Sequence, residues 1–136
     1  MEEIRWHYRF RNFSNAFHRF KEPLESSEVL NELEREGVIQ RFEYTFELAW
    51  KLLKDYLEYS GVEIDEITPR NVIKEAFAAK LVDDGDGWIG MLDARNDMSH
   101  KYDTEYFEEV EENIRFYFLG LLEQLHEKLG AEIDAK

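Results

Sequence analysis

Cysteine is absent from the sequence, which excludes disulfides and thiolate chemistry. Proline is scarce at 2 and glycine at 7. With so few breakers, and with Leu, Glu, Lys and Arg abundant, the chain favours helix. No stretch reaches the apolar length of a membrane span, so no membrane partner is expected. The first residues, Met1-Glu2-Glu3-Ile4-Arg5, hold acid and then base rather than an apolar signal core, and a cytoplasmic location is the expectation. There is no glycine-rich phosphate loop and no nucleophile elbow, so the chain offers no recognisable means of activating ATP, and no cofactor is expected. An excess of positive charge is missing too. The net charge is −14, whereas a protein that binds nucleic acid through its overall field is basic. Any RNA must therefore be met in a local cleft.

What is present is a dense apolar content for a chain the size of one domain. Of 136 residues, 43% are hydrophobic and 15% aromatic, enough to fill a core and leave rings for an interface. Charge is unevenly spread. Residues 1–21 hold Arg5, Arg9, Arg11, Arg19 and Lys21 against Glu2 and Glu3, five bases less two acids, or +3, which leaves −17 for the rest. The plainer account of this basic start is pairing with acidic neighbours in a bundle.

The apolar periodicity predicts an all-α, up-and-down four-helix bundle with an extra short helix, a single domain over residues 5–127, and a frayed tail over 128–136. Trp6, Phe10, Phe13, Phe17 and Phe20 mark one face of a first helix over about residues 3–21, ended by Lys21-Glu22-Pro23. Ser26-Ser27 is expected to cap a short helix interrupted at Gly37. A second long helix then runs from about Val38 to Ser60, roughly 34 Å, with Gly61 as its terminator. Its main seam is Phe42, Phe46, Ala49, Leu53 and Tyr56, and Tyr44, Leu48, Leu52 and Tyr59 form a second stripe. A helix apolar on two sides is usually buried on two sides, and in so small a bundle the second side points to a partner chain. Thr68-Pro69 opens a third helix that ends near Lys80, and a fourth spans about Trp88 to Ser99. A fifth follows Asp103 with a core stripe of Phe107, Val110, Ile114, Tyr117, Phe118, Leu121, Leu125 and Leu129.

The loop Asp83-Asp84-Gly85-Asp86-Gly87 fails the calcium-loop pattern, because counting from Asp84 places Trp88 where an oxygen ligand is needed. A solvated turn capping the next helix explains it better, and no metal site is expected. Glu108, Glu109, Glu111 and Glu112 read as a solvated helix face. His7, His18 and His126 lie within helical periodicity. His100 differs, since it falls where the fourth helix should end. Five residues separate it from Arg95, about 140° on an ideal helix, so the two converge only if the helix stops near Ser99. Arg offers a planar charged fork that matches a phosphate, and His moves a proton near neutral pH. Together they suit metal-independent cleavage of RNA. The plainer account is a helix end in which Arg95 pairs with Asp93 or Asp97.

Arg95-x4-His100-x-Tyr102 resembles the Arg-x4-6-His motif of HEPN domains, in the variant with Tyr two places after His found in HEPN toxins paired with minimal nucleotidyltransferases. Arg41-Phe42-Glu43-Tyr44-Thr45-Phe46-Glu47-Leu48-Ala49-Trp50-Lys51-Leu52-Leu53-Lys54 resembles the signature of the nucleotidyltransferase substrate-binding proteins within that group, and Thr68-Pro69-Arg70 and Asp93-Ala94-Arg95-Asn96 also fit. The resemblance implies a dimer in which the Arg and His motifs of two subunits meet. It also implies a partnership with a minimal nucleotidyltransferase encoded nearby, as in toxin–antitoxin modules. By position it implies Arg95 and His100 as catalytic, Asn96 in support, and Tyr102 as the residue that receives AMP. Three functions stay open on these grounds: a partner and nucleotidylation target of the nucleotidyltransferase, a metal-independent ribonuclease toxin using Arg95 and His100, and a purely structural helical dimer.

Overall fold

The expected periodicities become helices in the computed structural model, which describes residues 4–26, 28–98 and 104–135. The elements are α1 (Arg5–Glu25), α2 (Glu32–Tyr59), α3 (Pro69–Ala78), α4 (Gly85–Met98), α5 (Thr104–Asn113), a π-helical turn (Ile114–Phe118) and α6 (Leu119–Asp134). The last three follow without a break as one rod. With α1, α2 and α4 it makes the four-helix bundle, and α3 is the extra short helix. No strand occurs among the described residues, and the fold is all-α as a single domain.

Several boundaries differ from expectation for visible reasons. Pro23 does not end α1, which continues to Glu25. Proline removes the N–H that would bond the carbonyl of Arg19. Here Arg41 Nη1 donates to that carbonyl at 2.6 Å, so the last turn survives. Gly37 does not interrupt α2 either. Asn31, not Ser26-Ser27, is the cap: its side chain accepts from the Glu34 N–H at 2.8 Å, and Glu34 accepts from the Asn31 N–H at 2.9 Å. This reciprocal box starts the helix six residues earlier, and one glycine, worth about 1 kcal/mol against alanine, is outweighed by packing. Gly61 closes α2 at φ +90°, a left-handed conformation that glycine tolerates. Thr68 caps α3 through the Asn71 N–H at 3.1 Å. Residues 128–134, expected to fray, are helical.

The core is aromatic in the manner the sequence suggested. Phe13, Phe20, Phe42, Phe46, Ala49 and Leu53 are fully enclosed, and Phe42 stacks on Phe118 at 5.4 Å. The π-helical turn changes the phase of the last rod, so Ile114 and Phe118 both face inward while Tyr117 is 43% exposed rather than in the core. The second stripe of α2 is divided. Leu52 is enclosed within the chain and offers nothing to a second copy, whereas Tyr44 and Tyr59 stay exposed and Leu48 is half-buried. The physical reason is that α1, α3 and α4 all pack on α2, so part of its second apolar side is covered within the chain.

The basic start of the chain pairs with acids as expected. Asp55, 4% exposed, receives Arg9 Nε at 2.8 Å, Arg5 Nε at 3.3 Å and Lys54 Nζ at 3.3 Å. Lys21 Nζ meets Glu123 at 2.6 Å on α6. These contacts set α1 antiparallel to both α2 and α6.

Between α1 and α6, His126 Nε2 lies 2.9 Å from Ser14 Oγ, with its ring 5.0 Å from that of Phe17 and 5.1 Å from that of His18. Burial first, and then the neighbouring His18, pushes the His126 pKa below its ordinary value. The folded chain thus favours neutral His126. Its contribution to stability is complete above the ordinary histidine pKa and is lost as pH falls through that value towards the lower folded one. Urea denaturation between pH 7 and pH 5 should show stability declining, and His126→Gln should flatten that decline. An unchanged slope in the variant would assign the decline to other groups.

Candidate functional site

Arg95 stands in the last turn of α4, and α2 supplies what surrounds it. Positions 43, 46 and 47 of α2 are one helical turn apart and share a face. Arg95 Nη1 donates to Glu47 Oε2, and the guanidinium carbon sits 5.9 Å from the centre of the Phe46 ring. Glu47 is also 3.5 Å from Lys51 one turn further on. The guanidinium is thus fixed by an ion pair and by a ring face, which together orient a planar fork. Glu47 takes Nη1, and a fork with five N–H donors has others to present to a phosphate.

One turn before Glu47, the Glu43 carboxyl feels the same arginine. Burial pushes the Glu43 pKa above its ordinary range, and the charge of Arg95 pulls the other way without cancelling the rise. No hydrogen bond or ion pair ties Glu43 to another described residue.

A groove of about 1020 Å³ opens beside this cluster between the start of α2 and α5, with Glu43 and Met98 among its lining. Leu33, Met98 and Phe107 give it apolar surface, and Arg35 Nε bridges it to Glu111 Oε2 at 2.5 Å. Glu32, Glu36, Glu43, Glu108 and Glu111 line it against Arg35 alone among the basic residues described. It is therefore not the local basic cleft that RNA binding by field would need. Two further cations that a local basic cleft could have drawn on are engaged elsewhere: Arg70 Nη2 with Asp93 at 3.2 Å, and Arg115 Nη1 with the Leu24 carbonyl at 3.3 Å.

The pairing expected from the plainer account of the motif is not the one observed. Asp93 holds Arg70, and Asp97 accepts from the Tyr106 hydroxyl, whose pKa is raised first by burial and then by Asp97. Neither is the carboxylate bonded to Arg95. Asn96 is exposed, and Met98, 6% exposed, anchors the end of α4 in the core. His100 and Tyr102 lie outside the described residues, as does Lys101. The Asp-rich loop does act as a turn and cap: Asp84 Oδ1 accepts from the Gly87 N–H at 2.9 Å, and its other oxygen accepts from the Tyr117 hydroxyl. Glu43, Phe46 and Glu47 were legible as parts of a signature, and Phe46 as part of the core seam, but none had a role in the site assigned. Two acids at i and i+4 beside a seam aromatic were the signal available.

The all-α bundle thus places an arginine at the end of one helix against a carboxylate and an aromatic ring of its longest helix, a polar centre built across two elements. The chain belongs to the nucleotidyltransferase substrate binding protein like family, whose model matches residues 8–131. It is 33% identical over 98 residues to a probable ribonuclease HepT of Haemophilus influenzae, spanning 68% of this chain and 67% of that one. It also resembles a crystal structure of a Thermus thermophilus protein, with a TM-score of 0.76 and 32% identity over 86% of this chain and 98% of that one.

Proposed function

We propose that the protein is a HEPN ribonuclease acting within a toxin–antitoxin-like pair, held silent by a minimal nucleotidyltransferase that transfers AMP to Tyr102. The observation that carries the reading is the seating of Arg95. The arginine of the short motif is oriented by Glu47 and Phe46, both inside the helix-two signature of the family. A preorganised guanidinium is what a phosphorus centre gathering negative charge requires. In this reading His100 moves the proton, Asn96 supports the pair, and no metal ion takes part. The active species is a homodimer, docked through the part of the second α2 stripe that the chain does not enclose, the exposed Tyr44 and Tyr59 and the half-buried Leu48, so that two motifs meet.

The regulatory half of the proposal has a simple physical basis. A nucleotide on Tyr102 adds bulk and a negative phosphate seven residues beyond Arg95 in the chain, where it competes with an RNA phosphate for the same cation. After co-expression with the nucleotidyltransferase encoded nearby, the intact mass should rise by one adenylyl group. Peptide mapping should place that group on Tyr102, and the modified protein should have lost RNA cleavage. An unmodified Tyr102 in a protein that still binds the nucleotidyltransferase would leave the substrate-binding description standing and remove the covalent switch.

A further inference from the structure

The cluster around Arg95 contains a carboxyl whose use is unexplained by holding the arginine. Glu47 performs that task and is additionally close to Lys51. Glu43 lies one turn away on the same face of α2, within reach of the field of Arg95, and lines the groove together with Met98. Arg95 from α4 is the charge that acts on it, Glu47 follows it one turn later on the same helix, and Glu32, Glu36, Glu108, Glu111 and Arg35 line the same groove.

Resting on the ribonuclease reading, we propose that Glu43 is a further catalytic residue, the general base that takes the proton of the ribose 2′-hydroxyl. Arg95 holds the phosphate and Glu43 faces the adjoining sugar. The 2′-hydroxyl proton passes to the Glu43 carboxylate, the 2′-oxygen forms its bond to phosphorus, and the bond from phosphorus to the 5′-oxygen breaks. The departing 5′-oxygen takes a proton from the general acid of the site or from water. The products are a 2′,3′-cyclic phosphate and a 5′-hydroxyl, and the base returns its proton to solvent.

Three features favour Glu43 for this part. It is not tied by a hydrogen bond or ion pair to another described residue, so its oxygens are available to a substrate. Partial burial makes it a stronger base than an exposed glutamate, and the raised pKa agrees with that. It also shares one oriented arginine with Glu47, so two like carboxyls in one site have different tasks, one paired with the arginine and one open to the groove.

The test is single-turnover cleavage of a labelled single-stranded RNA in EDTA across pH 4 to 8, by wild type, Glu43→Gln, Glu43→Asp and Arg95→Ala. A 2′-deoxy analogue of the cleaved nucleotide reports binding without reaction. Glu43→Gln should slow cleavage by about 100-fold or more, bind the analogue as wild type does, and lose the acidic limb of the pH profile, with Glu43→Asp recovering part of the rate. Cleavage by Glu43→Gln at the wild-type rate, or a rate loss matched by an equal loss of analogue binding, overturns the proposal. If Arg95→Ala is inactive while Glu43→Gln is fully active, only the role of Glu43 falls. If Arg95→Ala cleaves as wild type does, or wild type does not cleave, the ribonuclease reading falls and takes this role with it.

Discussion

Arg95→Ala should lower single-turnover RNA cleavage by about 100- to 1,000-fold, the usual cost of removing one oriented donor from a site where charge develops. The effect should appear in the rate constant more than in RNA binding. The chain carries a net charge of −14, and the groove beside Arg95 is lined mainly by acids, so little ground-state affinity comes from the field. Arg95→Lys should restore little. An ammonium group is a point charge without a planar fork, so it cannot bond Glu47 with one edge and present a coplanar pair of donors to a phosphate with another. Stability should barely move. The Arg95 and Glu47 side chains are 27% and 33% exposed, and such a pair contributes about 1 kcal/mol or less. A melting curve near that of wild type, with cleavage lost, separates a catalytic role from a structural one. A large drop in melting temperature would favour the purely structural reading of the motif.

The second large effect concerns the fold. Asp55→Ala should destabilise the protein by about 3 kcal/mol, because it removes the one carboxylate that Arg5, Arg9 and Lys54 share. The Asp55 side chain is 2% exposed, and those of Arg9 and Lys54 are 25% and 20% exposed, so the cations left behind are only partly rehydrated. Burial opposes ionisation of Asp55, but the hydrogen bonds from Arg9 and Lys54 outweigh it and hold its pKa below the ordinary value. A depressed carboxyl pKa contributes stability that is present above the unfolded value and lost as pH falls through the folded one. Urea midpoints for wild type and Asp55→Ala should therefore differ most near neutral pH and draw together below the ordinary aspartate range. A constant gap across that range would mean that lost packing, not lost charge, is the cause.

Much of this architecture was legible because the apolar pattern is strict. The Phe42, Phe46, Ala49 and Leu53 seam and the Thr68-Pro69 start needed only helical spacing and capping chemistry. Where expectation missed, a distant partner had overridden a local rule. Pro23 is tolerated because a guanidinium from the neighbouring helix α2, that of Arg41, fills the bond that proline removes. Leu52 is inside because α1, α3 and α4 all pack on α2 and leave less of it uncovered than its two apolar stripes suggested. Tyr117 turned outward because a π-helical turn shifted its phase, and no residue pattern announces such a turn. The site divides in the same way. Arg95 was singled out by its motif, but Glu47 as its partner requires knowing that α4 ends against the middle of α2. Asp93 and Asp97 were nearer in sequence and are bonded to other groups.

The claim at the centre is that Arg95, seated by the helix-two signature, serves RNA cleavage. It is tested most directly by incubating one labelled single-stranded RNA in EDTA with wild type and with Arg95→Ala purified side by side, and analysing the product ends. Wild type should give fragments ending in 2′,3′-cyclic phosphate, and Arg95→Ala almost none. Equal cleavage by the two proteins, or intact RNA with both, would contradict it.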